Sequence, residues 1–551
     1  MRDPLARVAA TATPQNQPLR GRAQVRNAAG GYVFEKSLWT KLEDFLILGT
    51  TGGTYYTSED KLTTTNVDWL IDAIAEDGQR VVALVADIST ARPPRAPKPR
   101  AYLFALAMAA AIGDPATKQA VKAVFPKVVR TTDHLATFFG YWKNLAGKPV
   151  SGGGVSPVIG RAMRSAFASW FDADDVHDVA FRALKARQRA TPTGEAMALR
   201  DIIRIAHPAG RTEQHRALIG WLAGRLDDAH ARALVADVDA FLTAQAVTTP
   251  REAVEVIRER RVPWEFLPSA VLTDKAVWDE LAATVGLTAL IRNLARMAQI
   301  GSIVPFSPTT SLVVSRLTSA DGLRAARIHP MDAYLALKVY GAGRSLPDGR
   351  KPHSTWIPVG AVTDALETAY ELSFGGVQPS GRRLLVAVDS SGSMTQYQVI
   401  SGGCPLGPAY EVGNAVAAML ARIEGKNVHV IDVDTTVHRS KVTARTNLRE
   451  LASWRPSGGR TDVAASLRWA RQRSLAVDGV VILTDNETWA GRSHPDEELA
   501  AYRQAVNPDL RVVVVSMTAT GYNVADPAQE NVLQIAGLDA SLPMVVSGFL
   551  R

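Results

Sequence analysis

The sequence predicts a long array of α-helical hairpins followed by a doubly wound α/β unit. From about Leu38 to Tyr370, apolar residues recur three and four apart, and Gly and Pro cluster at the breaks. After Gly381 the texture changes to short, β-branched, nearly continuous apolar runs alternating with helical stretches, the pattern of strands buried on both faces of a parallel sheet. The switch falls near residues 370–381, within SFGGVQPSGRR. It divides the chain into a flexible N-terminal segment (1–23), a helical domain (24–375) and an α/β domain (376–551).

Taken in order, AYLFALAMAAAIG (101–113), LRDIIRIA (199–206), HRALIGWLAGRL (215–226), LTALIRNLARM (287–297) and MDAYLALKVY (331–340) read as helices with apolar faces. ARPPRAPKPR (91–100) and SGGGVSPVIG (151–160) read as exposed loops. A long run of helices with short connections favours a solenoid over a closed bundle. In the C-terminal part, LLVAV (384–388), VHVIDV (428–433), VVILT (480–484) and VVVVSM (512–517) are the strands. EVGNAVAAMLARI (411–423) and TDVAASLRWARQR (461–473) are helices between them.

Composition excludes several classes. Hydrophobic residues make up 46 % and charged residues 21 %, a globular balance. No run reaches eighteen apolar residues, and the N-terminus lacks the apolar core of a secretory leader. The single cysteine, Cys404, excludes an internal disulfide and any cysteine-built zinc or iron–sulfur site. The expectation is a soluble, cytoplasmic monomer with no membrane association. Of the net charge of +8, none comes from residues 381–551, which hold 17 basic and 17 acidic residues. Residues 91–210 hold 18 basic and 8 acidic residues, a concentration that suits a polyanionic partner.

The first strand of the α/β part runs into Asp389-Ser390-Ser391-Gly392-Ser393. In an open parallel sheet, ligands sit outside the carboxyl ends of the strands, where this loop lies. Thr461 after a glycine pair and Asp485 directly after VVILT fall at comparable places. Asp389, Ser391, Ser393, Thr461 and Asp485 together offer oxygen ligands only, two of them ionised, a set suited to a hard divalent cation such as Mg²⁺. Helix capping by Asp389 and the serines is the competing reading. The spacing resembles the metal-ion-dependent adhesion site of von Willebrand factor A domains, whose metal accepts a partner's acidic side chain.

Further blocks extend the resemblance over most of the chain. QVRNAAGGYVFE (24–35), FLILGTTGGTYYTSEDKL (45–62), ATKQAVKAVFPKVVRTTDHLATF (116–138), IGRAMRSAFASWF (159–171) and LTALIRNLARM (287–297) are similar to the TROVE domain of Ro autoantigen proteins. ARIHPMDAYLAL (326–337), RRLLVAVDSSGSM (382–394), ILTDNETWAGRSHP (482–495) and TGYNVADP (520–527) continue it in family order. The resemblance implies a ring of HEAT-like helical hairpins followed by a von Willebrand factor A domain, non-enzymatic and RNA-binding. It implies single-stranded 3′ ends of misfolded RNA in a basic central hole, Y-like non-coding RNA on the outer surface, and polynucleotide phosphorylase tethered through that RNA, in RNA quality control.

By motif position, the inner-surface candidates are Arg130 and His134 in RTTDHL. The outer-surface candidates are Arg161 and Arg164 in IGRAMR, then Lys185, Arg187 and Arg189 in KARQR, and Arg200, Arg204 and His207 in LRDIIRIAH. One position departs from the family: where animal relatives carry a histidine that contributes to Y RNA binding, this chain has Leu199. The competing class is a metal-dependent adhesion or chaperone-associated protein for which RNA is incidental. Phosphate-loop, zinc-protease and nucleophile-elbow motifs are absent. The aromatic tract Phe138, Phe139, Tyr141 and Trp142 reads as a buried helix face rather than a base-stacking platform.

Overall fold

The structure is a computed structural model. It describes residues 12–22, 24–26, 30–35, 38–48, 68–90, 99–145, 160–172, 174–186, 199–345, 354–401, 404–485, 488–517, 522–523, 531–536 and 542–550. The two loops read at 91–100 and 151–160 and the TGYNVADP block fall almost entirely outside these residues.

Two short strands, β1 (Gln24–Arg26) and β2 (Tyr32–Glu35), precede α1 (Leu38–Leu48), α2 (Asp68–Thr90), α3 (Pro99–Ile112) and α4 (Pro115–Val128). The array continues through α5 (Thr132–Leu145), α6 (Arg161–Asp172), α7 (Val176–Ala186), α8 (Leu199–Ala206) and α9 (Glu213–Leu222). It then runs through α10 (Asp228–Leu234), α11 (Ala236–Gln245), α12 (Pro250–Arg260), α13 (Lys275–Thr284) and α14 (Leu287–Gln299). It closes with α15 (Pro308–Leu317), α16 (Ala320–Ala325), α17 (Pro330–Gly341) and α18 (Gly360–Ser373).

Helix starts follow from local chemistry. Asp114 accepts the Thr117 amide at 2.7 Å ahead of Pro115, and Thr249 with Glu252 forms a capping box ahead of Pro250. Alternate helices stack on one another: α2 on α4, α4 on α6 and α6 on α8 form one layer, and α3, α5, α7 and α9 form the other. Two parallel layers of this kind are a helical-hairpin solenoid. Between them, Phe125, Phe138 and Phe167 meet edge to face with centroids 5.1 to 6.0 Å apart. Phe139 and Trp142 are buried beside them, so this aromatic tract belongs to the core.

The α/β unit opens with β3 (Leu384–Asp389), a small hairpin of β4 (Gln398–Ser401) and β5 (Cys404–Pro408), then α19 (Ala409–Glu424). β6 (Val428–Val433), β7 (Val437–Arg439), α20 (Leu448–Leu451), α21 (Ala464–Gln472), β8 (Gly479–Thr484) and α22 (Pro495–Ala505) follow. β9 (Arg511–Ser516), β10 (Tyr522–Asn523), β11 (Val532–Ala536) and α23 (Leu542–Leu550) end it. The main sheet has the order β11-β9-β8-β3-β6-β7, parallel except for the edge strand β7, which pairs antiparallel with β6. The expected all-parallel sheet is therefore mixed, because the three-residue β7 returns through a tight turn after Val433.

Alternation along the strands assigns the two faces. Leu385, Ala387, Val480, Ile482, Val512 and Val514 pack beneath α21 and α22 through Leu467, Leu499 and Tyr502. Leu384, Val386, Val388, Val481 and Leu483 face α19 and α23, and that apolar cluster is continuous with the core of the helical array.

Both ends of the array contact the α/β unit. At one end, β2 pairs antiparallel with β10 and α1 lies against β11. At the other, Lys338 pairs with Glu411, Arg422 pairs with Glu371, and Arg449 bonds Asp364 at 2.5 Å as well as Glu367. Within the segment read as flexible, residues 12–22 make contacts with the α/β unit. Gln15 is buried, donating its amide to the Gly491 carbonyl at 3.0 Å and accepting from Thr488 Oγ1 at 2.8 Å. Thr13 N donates to Glu497 and His494 Nε2 lies 2.7 Å from the Gln17 carbonyl. Gly31 permits the approach, since a Cβ there would lie 2.2 Å from the Thr488 carbonyl oxygen.

α17 begins with a buried histidine cap. His329 Nδ1 accepts the Met331 amide at 3.1 Å, which requires the neutral ring, and burial pushes its pKa down to about 4. The folded value lies below the unfolded one, so its stabilising contribution is present above about pH 6.5 and lost as pH falls towards 4. The difference in unfolding free energy between wild type and His329→Asn, which keeps an uncharged cap, should shrink by about 3 kcal/mol from pH 7 to pH 4. A pH-independent difference in chemical denaturation would refute this.

Candidate functional site

β3 is flanked by β8 on one side and β6 on the other, so the chain reverses its direction of strand addition there. The crevice at the carboxyl ends of β3 and β8 is the topological switch point. Asp389 ends β3 and Asp485 follows β8, and both side chains are buried. Asp389 Oδ1 accepts the Ser391 amide at 2.9 Å and Oδ2 accepts Thr484 Oγ1 at 2.7 Å. Ser391 Oγ and Ser393 Oγ lie 3.2 Å apart on the same loop. Thr461 is buried and lines one small cavity with Asp389. The five residues expected from sequence thus gather at one end of the sheet.

The loop that carries Thr461 is held from several sides. Gly458 N donates to the Ser390 carbonyl at 3.0 Å, Gly392 N to Gly459 O at 3.3 Å, and Asp462 N to Asp434 O at 2.8 Å. Gly459 lies against Asp434, whose Oδ2 would sit 2.5 Å from a Cβ, so a side chain there would displace the loop. Arg468 joins Asp462 to Glu498, with both contacts at 3.1 Å. Asp434, although buried, is kept at about 2 by hydrogen bonds from Ser457, the Thr436 amide and His438. From sequence, Asp434 reads as a residue at a strand end, favoured as a local cap over an indirect contact with the site; its spacing from Thr461 holds no signal of this support.

Burial, and then the charge of Asp485, push Asp389 up to about 7. Two buried like charges beside three hydroxyls form an oxygen-only donor set that a hard divalent cation would satisfy. Among the described residues no group of three or more His, Cys, Asp or Glu side chains converges, so softer or carboxylate-rich sites are not formed there.

The basic candidates fall in different settings. Arg130 Nη1 donates to the Ser89 carbonyl at 2.7 Å, and its own carbonyl accepts Arg182 Nη1 at 2.9 Å. His134 is half-buried with Nδ1 3.2 Å from Val128 O, and burial lowers its pKa. This pair is built into the α4–α5 turn. Arg161 and Arg164 are exposed on α6, and Arg200 and Arg204 on α8, with no ion-pair partner among the described residues. α6 and α8 are neighbours in one layer, so these four share it. His207 is exposed just past α8 in a left-handed conformation, φ 47°. Leu199 is buried at the start of α8. Lys185 ends α7 in the other layer, 3.4 Å from Glu265. Arg187 and Arg189 lie outside the described residues.

A family model described as the TROVE domain matches residues 257–340, and one described as the Ro60 vWA domain matches residues 383–550. The chain is 34 % identical over 543 residues to RNA-binding protein RO60 of Deinococcus radiodurans, covering 98 % of this chain and 97 % of that one. It is 30 % identical over 595 residues to RNA-binding protein RO60 of Caenorhabditis elegans, covering 96 % and 90 %. The crystal structure of the Deinococcus radiodurans RO (RSR) protein superposes with a TM-score of 0.74 at 31 % identity, covering 94 % of this chain and 99 % of that one.

Asp389→Asn removes one of the two buried like charges. In EDTA at pH 8 it should stabilise the chain by roughly 1–3 kcal/mol, read as a higher unfolding temperature. A lower unfolding temperature would show that the carboxylate's hydrogen bonds outweigh its repulsion with Asp485.

Proposed function

The chain belongs to the Ro family, and on that premise we propose that it is a non-enzymatic RNA-binding protein acting in RNA quality control. The observation that carries this reading is the set of exposed arginines Arg161, Arg164, Arg200 and Arg204 on adjacent helices, without acidic partners among the described residues. Cations left unneutralised on one layer attract phosphates and release counterions on binding, so affinity falls steeply with salt. The relatives named as RNA-binding proteins span nearly the whole chain, which supports an RNA partner for the full molecule.

In finer terms, the α6–α8 layer takes a Y-like non-coding RNA. A single-stranded 3′ end of a misfolded RNA threads the basic opening of the helical array, and a duplex is excluded by its width. Polynucleotide phosphorylase is recruited through the Y-like RNA, and the protein acts as a monomer in the cytoplasm. Arg130 and His134 shape the rim of that opening through the α4–α5 turn they hold.

Asp389, Ser391, Ser393, Thr461 and Asp485 would hold Mg²⁺. When bound, the ion offers a coordination position to an acidic side chain of a partner. The protein's own residues bury the two carboxylates and hold the three hydroxyls beside them. Mg²⁺ should raise the unfolding temperature of wild type and leave Asp389→Asn unchanged.

The double variant Arg161→Glu/Arg164→Glu should weaken binding of a structured RNA by at least about tenfold and lower the slope of log affinity against log salt by about 2. Wild-type affinity and slope in filter binding would refute the assignment to α6.

A further inference from the structure

A cavity of about 560 Å³ opens where the end of α7 meets the turn after α12 and the α13–α14 junction. Its size falls within the range of small-ligand sites, about 300–1,000 Å³. Phe181 and Trp264 line it, as do Lys185, Arg261 and Glu265. Lys185 lies over the Phe181 ring, 4.2 Å from its centroid, and 3.4 Å from Glu265, which offsets its charge. Arg261 is exposed and has no ion-pair partner among the described residues, so the described lining carries one net positive charge. Arg261 also closes α12 in a left-handed conformation, φ 50° and ψ 36°, where glycine is the favoured residue. An arginine held there against backbone preference is a residue that only its surroundings would retain, and it lines the cavity.

We infer that this cavity receives one unpaired nucleotide of the bound RNA, with the base beside Trp264 and Phe181 and its phosphodiester at Arg261. One net positive charge matches one phosphodiester, and an aromatic wall accepts any base through its π-face. Bases in a duplex are already stacked and paired, so only an unpaired nucleotide can enter. The inference rests on the RNA-binding reading and names a site that reading did not use.

The test compares wild type, Arg261→Gly and Ala289→Trp as full-length chains, with a 12-nucleotide single-stranded RNA and a 12-base-pair RNA duplex as probes. Arg261→Gly removes the guanidinium while suiting the backbone, and Ala289→Trp fills the cavity from its wall. Both should weaken single-strand binding about tenfold and leave duplex binding within twofold. Arg261→Gly should keep or raise the unfolding temperature, which separates lost binding from lost fold. Single-strand affinity within twofold of wild type in Arg261→Gly overturns the inference and leaves the RNA-binding reading standing. Equal losses for both probes also overturn it, since Arg261 would then be a general backbone contact. Variants that lose adenosine 5′-monophosphate but keep the single strand overturn it in favour of a free nucleotide. A wild type that binds neither RNA overturns both readings.

Discussion

The α/β unit grips the helical array at both ends, and the rest of the molecule depends on that closure. The grip is mainly apolar: one face of the sheet, with α19 and α23, shares a continuous core with the helices. Ion pairs such as Arg449 with Asp364 decorate the contact but are half-exposed, and pairs of that kind contribute at most about 1 kcal/mol each. Burial of side chains of Leu or Phe size contributes about 1.5–3 kcal/mol apiece, so packing sets the geometry and charge selects the partner surfaces. An open solenoid flexes along its length because each repeat touches only its neighbours. Joining its ends through a rigid sheet removes that freedom.

The same closure organises the crevice at the switch point. Gln15, from the start of the chain, bonds Thr488 and Gly491 just beyond Asp485, and Thr488 in turn bonds the Val463 amide beside Thr461. The loops that carry the oxygen donors are therefore braced by the segment that also leads into β2. Two carboxylates are kept dry at that point at an energetic disadvantage, the kind of local conflict that folded chains retain at functional sites.

Much of this was legible in the sequence because it is written in short-range periodicity. Helical faces such as LRDIIRIA and buried strands such as LLVAV carry their period with them, and DxSxS at a strand end names its own location. Features assembled by packing left no such trace. The bond between Gln15 and Thr488 joins residues 473 positions apart. β7 is three residues long and pairs antiparallel only because a turn follows β6. Lys185 was visible as a charge, yet Glu265 and Arg261, which line the same cavity, come from the turn after α12, five helices later. Arg261 itself looks ordinary in RERRVP, and only its left-handed backbone marks it out.

The pairing of β2 with β10 has a consequence for biosynthesis. β2 cannot find its partner β10 until the stretch of about 490 residues between them has been translated, which at 5–20 residues per second takes roughly half a minute or more. Throughout that interval the nascent array stays unclosed, and the leading hairpin keeps a bare edge at the tunnel exit. Chaperone capture of such an edge, or its pairing with a neighbouring polysome product, would be decided before release.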